Sequence, residues 1–102
     1  MSNRTAVTPV YKSTVKVGSV VMQVVIVKEF EDYWLAQVLQ RDISQAGKTP
    51  REAYKALERP IQVELGRVTR WNREPFLDQG PAPRDYWRKH RDAADLQTAQ
   101  EL

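Results

Sequence analysis

The chain has 102 residues, of which 41% are hydrophobic and 28% are charged, which fits one small globular domain with a modest core. It has no cysteine and a single histidine, His90, which excludes a disulfide framework, a thiolate zinc site and a cysteine nucleophile. No apolar run exceeds Val24 to Val27, far short of a membrane span. We therefore expect a cytoplasmic protein with no metal and no cofactor.

The formal net charge is +3, a mild excess that favours an acidic partner without requiring one. Between Arg67 and Arg91 there are seven basic residues and three acidic ones, and the basic residues alternate with aromatic rings. The basic residues are Arg67, Arg70, Arg73, Arg84, Arg88, Lys89 and Arg91, and the rings are Trp71, Phe76, Tyr86 and Trp87. Such a mixture suits a nucleic acid or a protein surface.

The N-terminal part of the chain predicts β-strands. Residues 1–17 place polar side chains among scattered valines, as in a disordered arm or an added edge strand, and we expect partial order from Val10 onward. Val20 to Phe30 is rich in β-branched residues and almost continuously apolar, as in a strand buried on both faces. The turn Glu31-Asp32 then leads into Tyr33 to Leu39, which predicts an antiparallel hairpin.

A passage from strand to helix follows the hairpin. Residues 41–46 predict a short third strand with Ile43 turned inward. Thr49 and Glu52 form a capping box around Pro50, in which the Thr49 hydroxyl accepts from the Glu52 amide and the Glu52 carboxylate accepts from the Thr49 amide. Gly47 is expected to supply a positive φ before the cap. A helix is therefore predicted to begin at Pro50.

The main helix is predicted from its apolar stripe, which continues in phase to Val68. The stripe consists of Tyr54, Leu57, Ile61, Leu65 and Val68, widened by Ala53 and Ala56. Pro60 removes the bond to the carbonyl of Ala56, so we expect a bend there. In the alternative, a first helix ends near Arg59 and Ile61 to Leu65 is an alternating strand.

The C-terminal part predicts a stiff loop and a second helix. Prolines 75, 81 and 83 bound the loop, and a short helix is expected from Arg84 to about Ala94, with Tyr86, Trp87 and His90 on one side. Asp95 to Leu102 is polar and expected to be frayed. We accordingly divide the chain into a domain at 1–69 and an aromatic, basic extension at 70–102.

The central segment resembles the HicB-like domain of bacterial toxin–antitoxin systems. The resemblance rests on Tyr33-Trp34-Leu35-Ala36, on Asp42, and on Gly47-Lys48-Thr49-Pro50-Arg51-Glu52-Ala53, within about residues 22–66. It implies an α+β fold with a small antiparallel sheet of three to four strands, one main helix on one face, and a dimer or tetramer without catalysis. After Leu65 the chain departs from the helix-turn-helix or ribbon-helix-helix of many members, so promoter binding by that route is not expected.

What the resemblance implies for function is an antitoxin or inhibitor. Family members cover the surface of a HicA-type toxin, a small ribonuclease, and similar stand-alone proteins occur in phages and mobile elements. We take as candidate partner-binding residues the anchors and charge complements Tyr33, Trp34, Trp71, Arg84, Tyr86, Trp87, Arg88 and Lys89. The alternative function is an oligomer that binds a nucleotide or nucleic acid through the basic aromatic tail, for example to counter host defence.

Each candidate also has a purely structural interpretation. One of Tyr33 and Trp34 can face the core while the other covers the sheet edge, and the tail rings can close a small core or join subunits. The only carboxylates near a sheet edge, Glu29, Glu31, Asp32 and Asp42, lie mostly in or beside a turn, so we expect no enzyme. His90 is expected to be an exposed side chain.

Overall fold

The computed structural model describes residues 8–100, with side chains to residue 98, so residues 1–7 of the predicted arm lie outside the described part. Four antiparallel strands form most of the sheet: β1 Tyr11–Val17, β2 Val20–Phe30, β3 Tyr33–Val38 and β4 Ser44–Gly47. A short β5, Ala94–Asp95, pairs in parallel with β1 and gives the order β4-β3-β2-β1-β5. The α+β prediction is confirmed, and the tail adds the fifth strand.

Four helices accompany the sheet: α1 Pro50–Ala56, α2 Glu58–Trp71, α3 Arg84–Arg91 and α4 Leu96–Gln100. The predicted long helix is interrupted at Leu57, and the alternative strand at residues 61–65 does not form. Pro60 lies in the first turn of α2, where a missing N–H costs no helical bond, and the Ile61 amide bonds the Leu57 carbonyl at 3.1 Å. No helix within residues 8–100 has both the length and the apolar character needed to cross a bilayer.

Two apolar cores lie on opposite faces of the sheet because successive side chains of β2 alternate. The helix-face core lies under α1 and α2 and is built on Val24, Ile26, Ala36, Val38 and Leu57. The α3-face core contains Val25, Val27, Leu35, Leu39, Ala82 and Tyr86. Burial of β2 on both faces is thus confirmed, although the resemblance implied a helix on one face only.

Asp95 to Leu102 was expected to be frayed, and for Asp95 and Leu96 this was wrong. The Ala94 amide donates to the Val10 carbonyl at 2.9 Å, which begins β5, and the Leu96 side chain is buried in the helix-face core. Phe76 and Ala82 are buried as well, one in each core. Residues after position 70 therefore complete both cores and pair with the start of the β1 edge.

The passage into α1 is capped largely as predicted. The Thr49 hydroxyl accepts from the Glu52 amide at 3.1 Å, but the Glu52 carboxylate accepts from Lys48 rather than from Thr49, at 3.2 Å. The positive φ expected at Gly47 is wrong, since Gly18 is the described glycine with a positive φ. Glycine is required at position 47 because an added Cβ would lie 2.4 Å from the backbone nitrogen of Ala53.

Candidate interaction surfaces

The turn between β2 and β3 carries two exposed aromatic rings. Phe30 and Tyr33 are paired across the hairpin with ring centroids 5.8 Å apart in an edge-to-face arrangement, and they are 70% and 44% exposed. The pairing register shifts between Lys28 and Phe30, and Asp32 adopts a φ of 57°. The bulge and the left-handed residue together turn both rings outward at the end of the hairpin.

Acidic side chains surround these rings. Glu29, Glu31 and Asp32 are all exposed. Among the described residues, Lys28 is the only cation paired with them, and its Nζ lies 3.5 Å from Glu31 Oε1. We call residues 29–33 the hairpin tip. It joins apolar rings, which favour burial, with a negative charge that favours a basic partner.

The two aromatic residues that open β3 have different environments. Trp34 is half-buried against the helix-face core, and its ring lies 5.8 Å from that of Tyr11, whereas Tyr33 points into solvent. The strand alternation explains the separation, because neighbouring residues face opposite sides of the sheet. Of the candidate pair, Tyr33 is available to a partner and Trp34 packs within the fold.

Trp71 lies at the C-terminal end of α2 and is 58% exposed. The guanidinium carbons of Arg70 and Arg73 each lie 5.9 Å from its ring centroid, within the range of a cation–π contact. Asn72 ends the helix in a left-handed conformation with a φ of 49°. Within the predicted tail site, Trp71 is therefore an exposed ring with two neighbouring cations.

The chain after Trp71 is fixed to α2 by a buried carboxylate. Glu64 is 1% exposed and accepts from Arg73 at 2.9 and 3.1 Å and from the Phe76 amide at 2.6 Å. Arg67 Nη1 lies 3.6 Å from the same carboxylate. Glu64 thus directs Phe76 into the helix-face core and determines where the loop leaves the helix.

Helix α3 presents most of the remaining candidates. Tyr86 turns towards the sheet, Lys89 lies 5.8 Å from its ring, and the Trp87 indole N–H donates to the Ala82 carbonyl at 3.1 Å. Arg84 and Arg88 are exposed, and Arg88 pairs with Asp85 at 3.1 Å. The outer side of α3 is therefore basic, while its aromatic residues are engaged in packing or hydrogen bonding.

Burial raises the pKa of Tyr86, and the nearby carboxylates of Glu29, Asp42 and Asp85 raise it further. His90, one turn later on α3, is half-buried rather than exposed as expected. Burial lowers the pKa of His90 below 6.5, and the charge of Lys12 on β1 lowers it further. Both groups are therefore held in their neutral forms at neutral pH.

The four tail rings do not form one stacking surface. Phe76 is buried in the helix-face core, Tyr86 belongs to the α3-face core, and Trp71 is exposed at the end of α2. The predicted platform is therefore divided between the two faces of the sheet, because the tail crosses from one to the other. Phe30 was not among the candidate residues, yet it pairs with Tyr33. Its position next to the two-residue turn Glu31-Asp32 was the sequence signal that could have identified it.

The carboxylates weighed for catalysis are distributed along β3. Glu29, Glu31 and Asp32 lie at the hairpin tip, while Asp42 follows the far end of β3 and accepts from the Gln37 side chain at 2.8 Å. Within the part of the chain that the structure describes, no group of three or more potential metal ligands occurs.

Comparison with known proteins finds no match to a family model, a curated protein or a solved structure.

Proposed function

We propose that this chain is a non-enzymatic inhibitor of the antitoxin type, which oligomerises in the cytoplasm and neutralises a protein partner by covering part of its surface. The observation that carries the proposal is the hairpin tip. Phe30 and Tyr33 are exposed side by side in an edge-to-face pair, at the end of a hairpin whose stem is buried on both faces. Large aromatic residues on a rigid support are the usual anchors of protein interfaces.

The charge of the tip favours a basic partner. Glu29, Glu31 and Asp32 flank the two rings, so the tip offers negative charge next to flat apolar groups, as a strand of RNA does. A ribonuclease must bind phosphate groups, which requires a basic surface at its active site. An inhibitor that inserts this tip would compete with RNA for that surface, consistent with a HicA-type ribonuclease as the partner.

The test is inhibition of RNA cleavage by a HicA-type ribonuclease. We expect the unaltered protein to inhibit at near-stoichiometric amounts. In the Phe30→Ala/Tyr33→Ala variant the apparent dissociation constant should rise about a hundredfold or more, since each truncated aromatic anchor costs about 2 kcal/mol and about 1.4 kcal/mol is tenfold. Trp71→Ala is the matched control, because it removes an exposed ring elsewhere. Equal inhibition by the tip variant and the control would contradict a role for the tip.

A second candidate function rests on Trp71. Its exposed ring lies 5.9 Å from the guanidinium carbons of both Arg70 and Arg73. Arg73 is paired with Glu64, so Arg70 is the cation that can contact phosphate while the ring stacks on a base. Under this proposal the chain binds single-stranded nucleic acid or a nucleotide, and Arg84, Arg88 and Lys89 on α3 contribute long-range attraction. Binding of a single-stranded RNA oligonucleotide should then weaken with salt and be lost in Trp71→Ala but kept in the tip variant.

A further inference from the structure

The two edges of the sheet differ. At one edge, β5 pairs with Tyr11 and Lys12 at the start of β1, and the Tyr54 hydroxyl donates to the Thr14 carbonyl at 2.6 Å. The open edge is β4, whose four residues, Ser-Gln-Ala-Gly, contain neither proline nor lysine, the residues that commonly protect such edges. The side chains of Ser44 and Ala46 are small and exposed, which leaves room for a second backbone to approach.

The hydrogen-bonding pattern shows which groups of this edge face outward. The Val38 amide donates to the Ile43 carbonyl at 2.9 Å, so the alternation of an antiparallel pair directs the backbone groups of Gln45 and Gly47 towards β3 as well. The N–H and C=O groups of Ser44 and Ala46 therefore point away from the sheet. β4 is the terminal strand of the sheet, so among the described residues no further strand pairs with these groups.

This open edge is complementary to itself. A second β4 running antiparallel, with its Ala46 opposite Ser44 and its Ser44 opposite Ala46, satisfies all the outward groups of both strands. The two-fold axis then passes through the position where Gln45 faces its own copy. Such an arrangement is isologous and closed, so it produces a dimer rather than a fibre.

A groove beside the edge provides the additional contact that so short a strand needs. It has a volume of about 620 Å³ and lies between Gln45 and the outer side of the junction between α1 and α2, where Ala56 and Val63 supply apolar surface. Val63 is 52% exposed. Because Gln45 lines the groove, a copy related by the axis at Gln45 brings its own helix junction to the same place.

We propose that a second copy of this chain occupies the β4 edge and this groove, so that two sheets join into one continuous sheet with the α1–α2 junctions in contact. The groove carries both signs of charge, Lys55 and Arg59 with Glu58 between them, so that an inverted copy can pair each Glu58 with a cation of the other. The inference names the oligomer that the proposed function invokes. It leaves the hairpin tips free for the partner.

The position of the axis allows a sharp test by charge at Gln45. In sedimentation velocity, the unaltered protein should be a dimer at micromolar concentration. Gln45→Glu and Gln45→Lys each place like charges opposite one another, so each should raise the dimer dissociation constant about tenfold or more. An equimolar mixture of the two variants should restore the dimer as a mixed species. A monomeric unaltered protein, variants that remain dimeric, or a mixture that stays monomeric would each overturn the proposal.

A backbone variant examines the same edge independently of charge. Ala46→Pro removes an outward N–H that has no partner in the monomer, and proline is tolerated at strand edges, so it should weaken the dimer while the fold is retained. Ala46→Ser keeps the N–H and is the matched control, expected to remain dimeric. A folded Ala46→Pro that is as dimeric as Ala46→Ser would contradict the edge contact.

These measurements use the isolated full chain, so failure of the dimer does not depend on the identity of the inhibited partner. The Phe30→Ala/Tyr33→Ala variant should remain dimeric, and the Gln45 variants should keep their hairpin tips. Loss of inhibition with an intact dimer therefore bears on the proposed function alone. Intact inhibition by a protein that is monomeric throughout overturns the dimer alone.

Discussion

At the scale of single residues, Gly47 decides how closely α1 can approach the sheet. An added Cβ would lie 2.4 Å from the nitrogen of Ala53 and 2.9 Å from its Cα, both of which are backbone atoms that can move only with the helix. The sequence indicated a glycine at a turn and led to the prediction of a positive φ. The true reason is a close contact between two segments, which no local pattern reveals.

Gly47→Ala should therefore destabilise the protein by about 2 kcal/mol, because the helix must shift to relieve the overlap. Gly66→Ala is the matched control, since an added Cβ at Gly66 meets nothing within 4 Å. In the exposed part of α2, alanine should be neutral or stabilising by up to about 1 kcal/mol. Urea unfolding followed by far-UV circular dichroism measures both, and equal midpoints for the two variants would contradict the assignment.

Glu64 is the second residue whose environment was not predicted. It is not part of the predicted apolar stripe, yet its carboxylate accepts from Arg73 and from the Phe76 amide while nearly fully buried. The hydrogen-bond donors to this carboxylate, Arg73 and the Phe76 amide, lie nine and twelve residues later in the chain. Helical periodicity describes only the face of α2 that lies on the sheet, so it carries no information about such a partner.

Removing this carboxylate should be costly because it leaves a partly buried cation, Arg73, and the buried Phe76 amide without their acceptor. We expect Glu64→Ala to lower the free energy of unfolding by about 3 kcal/mol. Glu74→Ala removes an exposed partner of Arg41 and should change it by less than about 1 kcal/mol. Comparable losses in the two variants, measured by urea unfolding, would be inconsistent with the role assigned to Glu64.

At the scale of elements, local patterns predicted what local forces determine. The capped start of α1, the hairpin of β2 and β3 and the stripe from Tyr54 to Val68 all follow from spacing within a few residues. The sequence predicted a bend at Pro60, but the helix is interrupted at Leu57, about one turn earlier. Pro60 itself lies in the first turn of α2, where proline is tolerated. The β1–β2 turn was missed although Gly18-Ser19 between two apolar runs is a hairpin signal.

Helix α3 docks on its face of the sheet through side chains that must stay neutral. Burial and the charge of Lys12 hold the pKa of His90 below 6.5, so on acidification the unfolded chain binds a proton more readily than the folded chain does. The contribution of neutral His90 to the free energy of unfolding is therefore fully present above pH 6.5, the pKa of the unfolded chain. It decreases as the pH falls from there towards the lower pKa of the folded state.

We expect the urea midpoint to decrease between pH 7.5 and 5.5 in the unaltered protein. His90→Gln should flatten this dependence, since it removes the titrating group while keeping a side chain of similar polarity. Arg91→Gln is the control on the exposed side of α3 and should leave the slope unchanged. A slope that is the same in His90→Gln as in the unaltered protein would assign the pH dependence to other groups.

At the scale of the whole molecule, the tail completes the fold in a way that composition did not indicate. Its prolines and charges suggested an extension, yet Phe76, Ala82 and Leu96 fill two cores and Ala94 extends the sheet. The continuous apolar character of β2 was the one signal that both faces are covered, and that inference was correct. Which segment covers the second face depends on contacts distant in sequence, beyond the range of local patterns.

The same distinction applies to the surfaces. Sequence identified Tyr33 and Trp71 among its exposed anchors, but it grouped Tyr33 with Trp34 and Trp71 with rings that the fold places elsewhere. Whether an aromatic side chain is exposed depends on which face of the strand it occupies and on where the chain crosses from one face of the sheet to the other. The pairing of Phe30 with Tyr33 and the open edge at β4 became visible only with the register of the strands.

The central claim is that the chain acts by holding a protein partner at the hairpin tip. The most direct test is native mass spectrometry of the full chain purified from its own cells, compared with Phe30→Ala/Tyr33→Ala and with the control Trp71→Ala. We predict that the unaltered protein and Trp71→Ala retain the same basic polypeptide and that the tip variant loses it. A polypeptide retained equally by all three proteins, or a mass of nucleotide size lost only in Trp71→Ala, would contradict the claim.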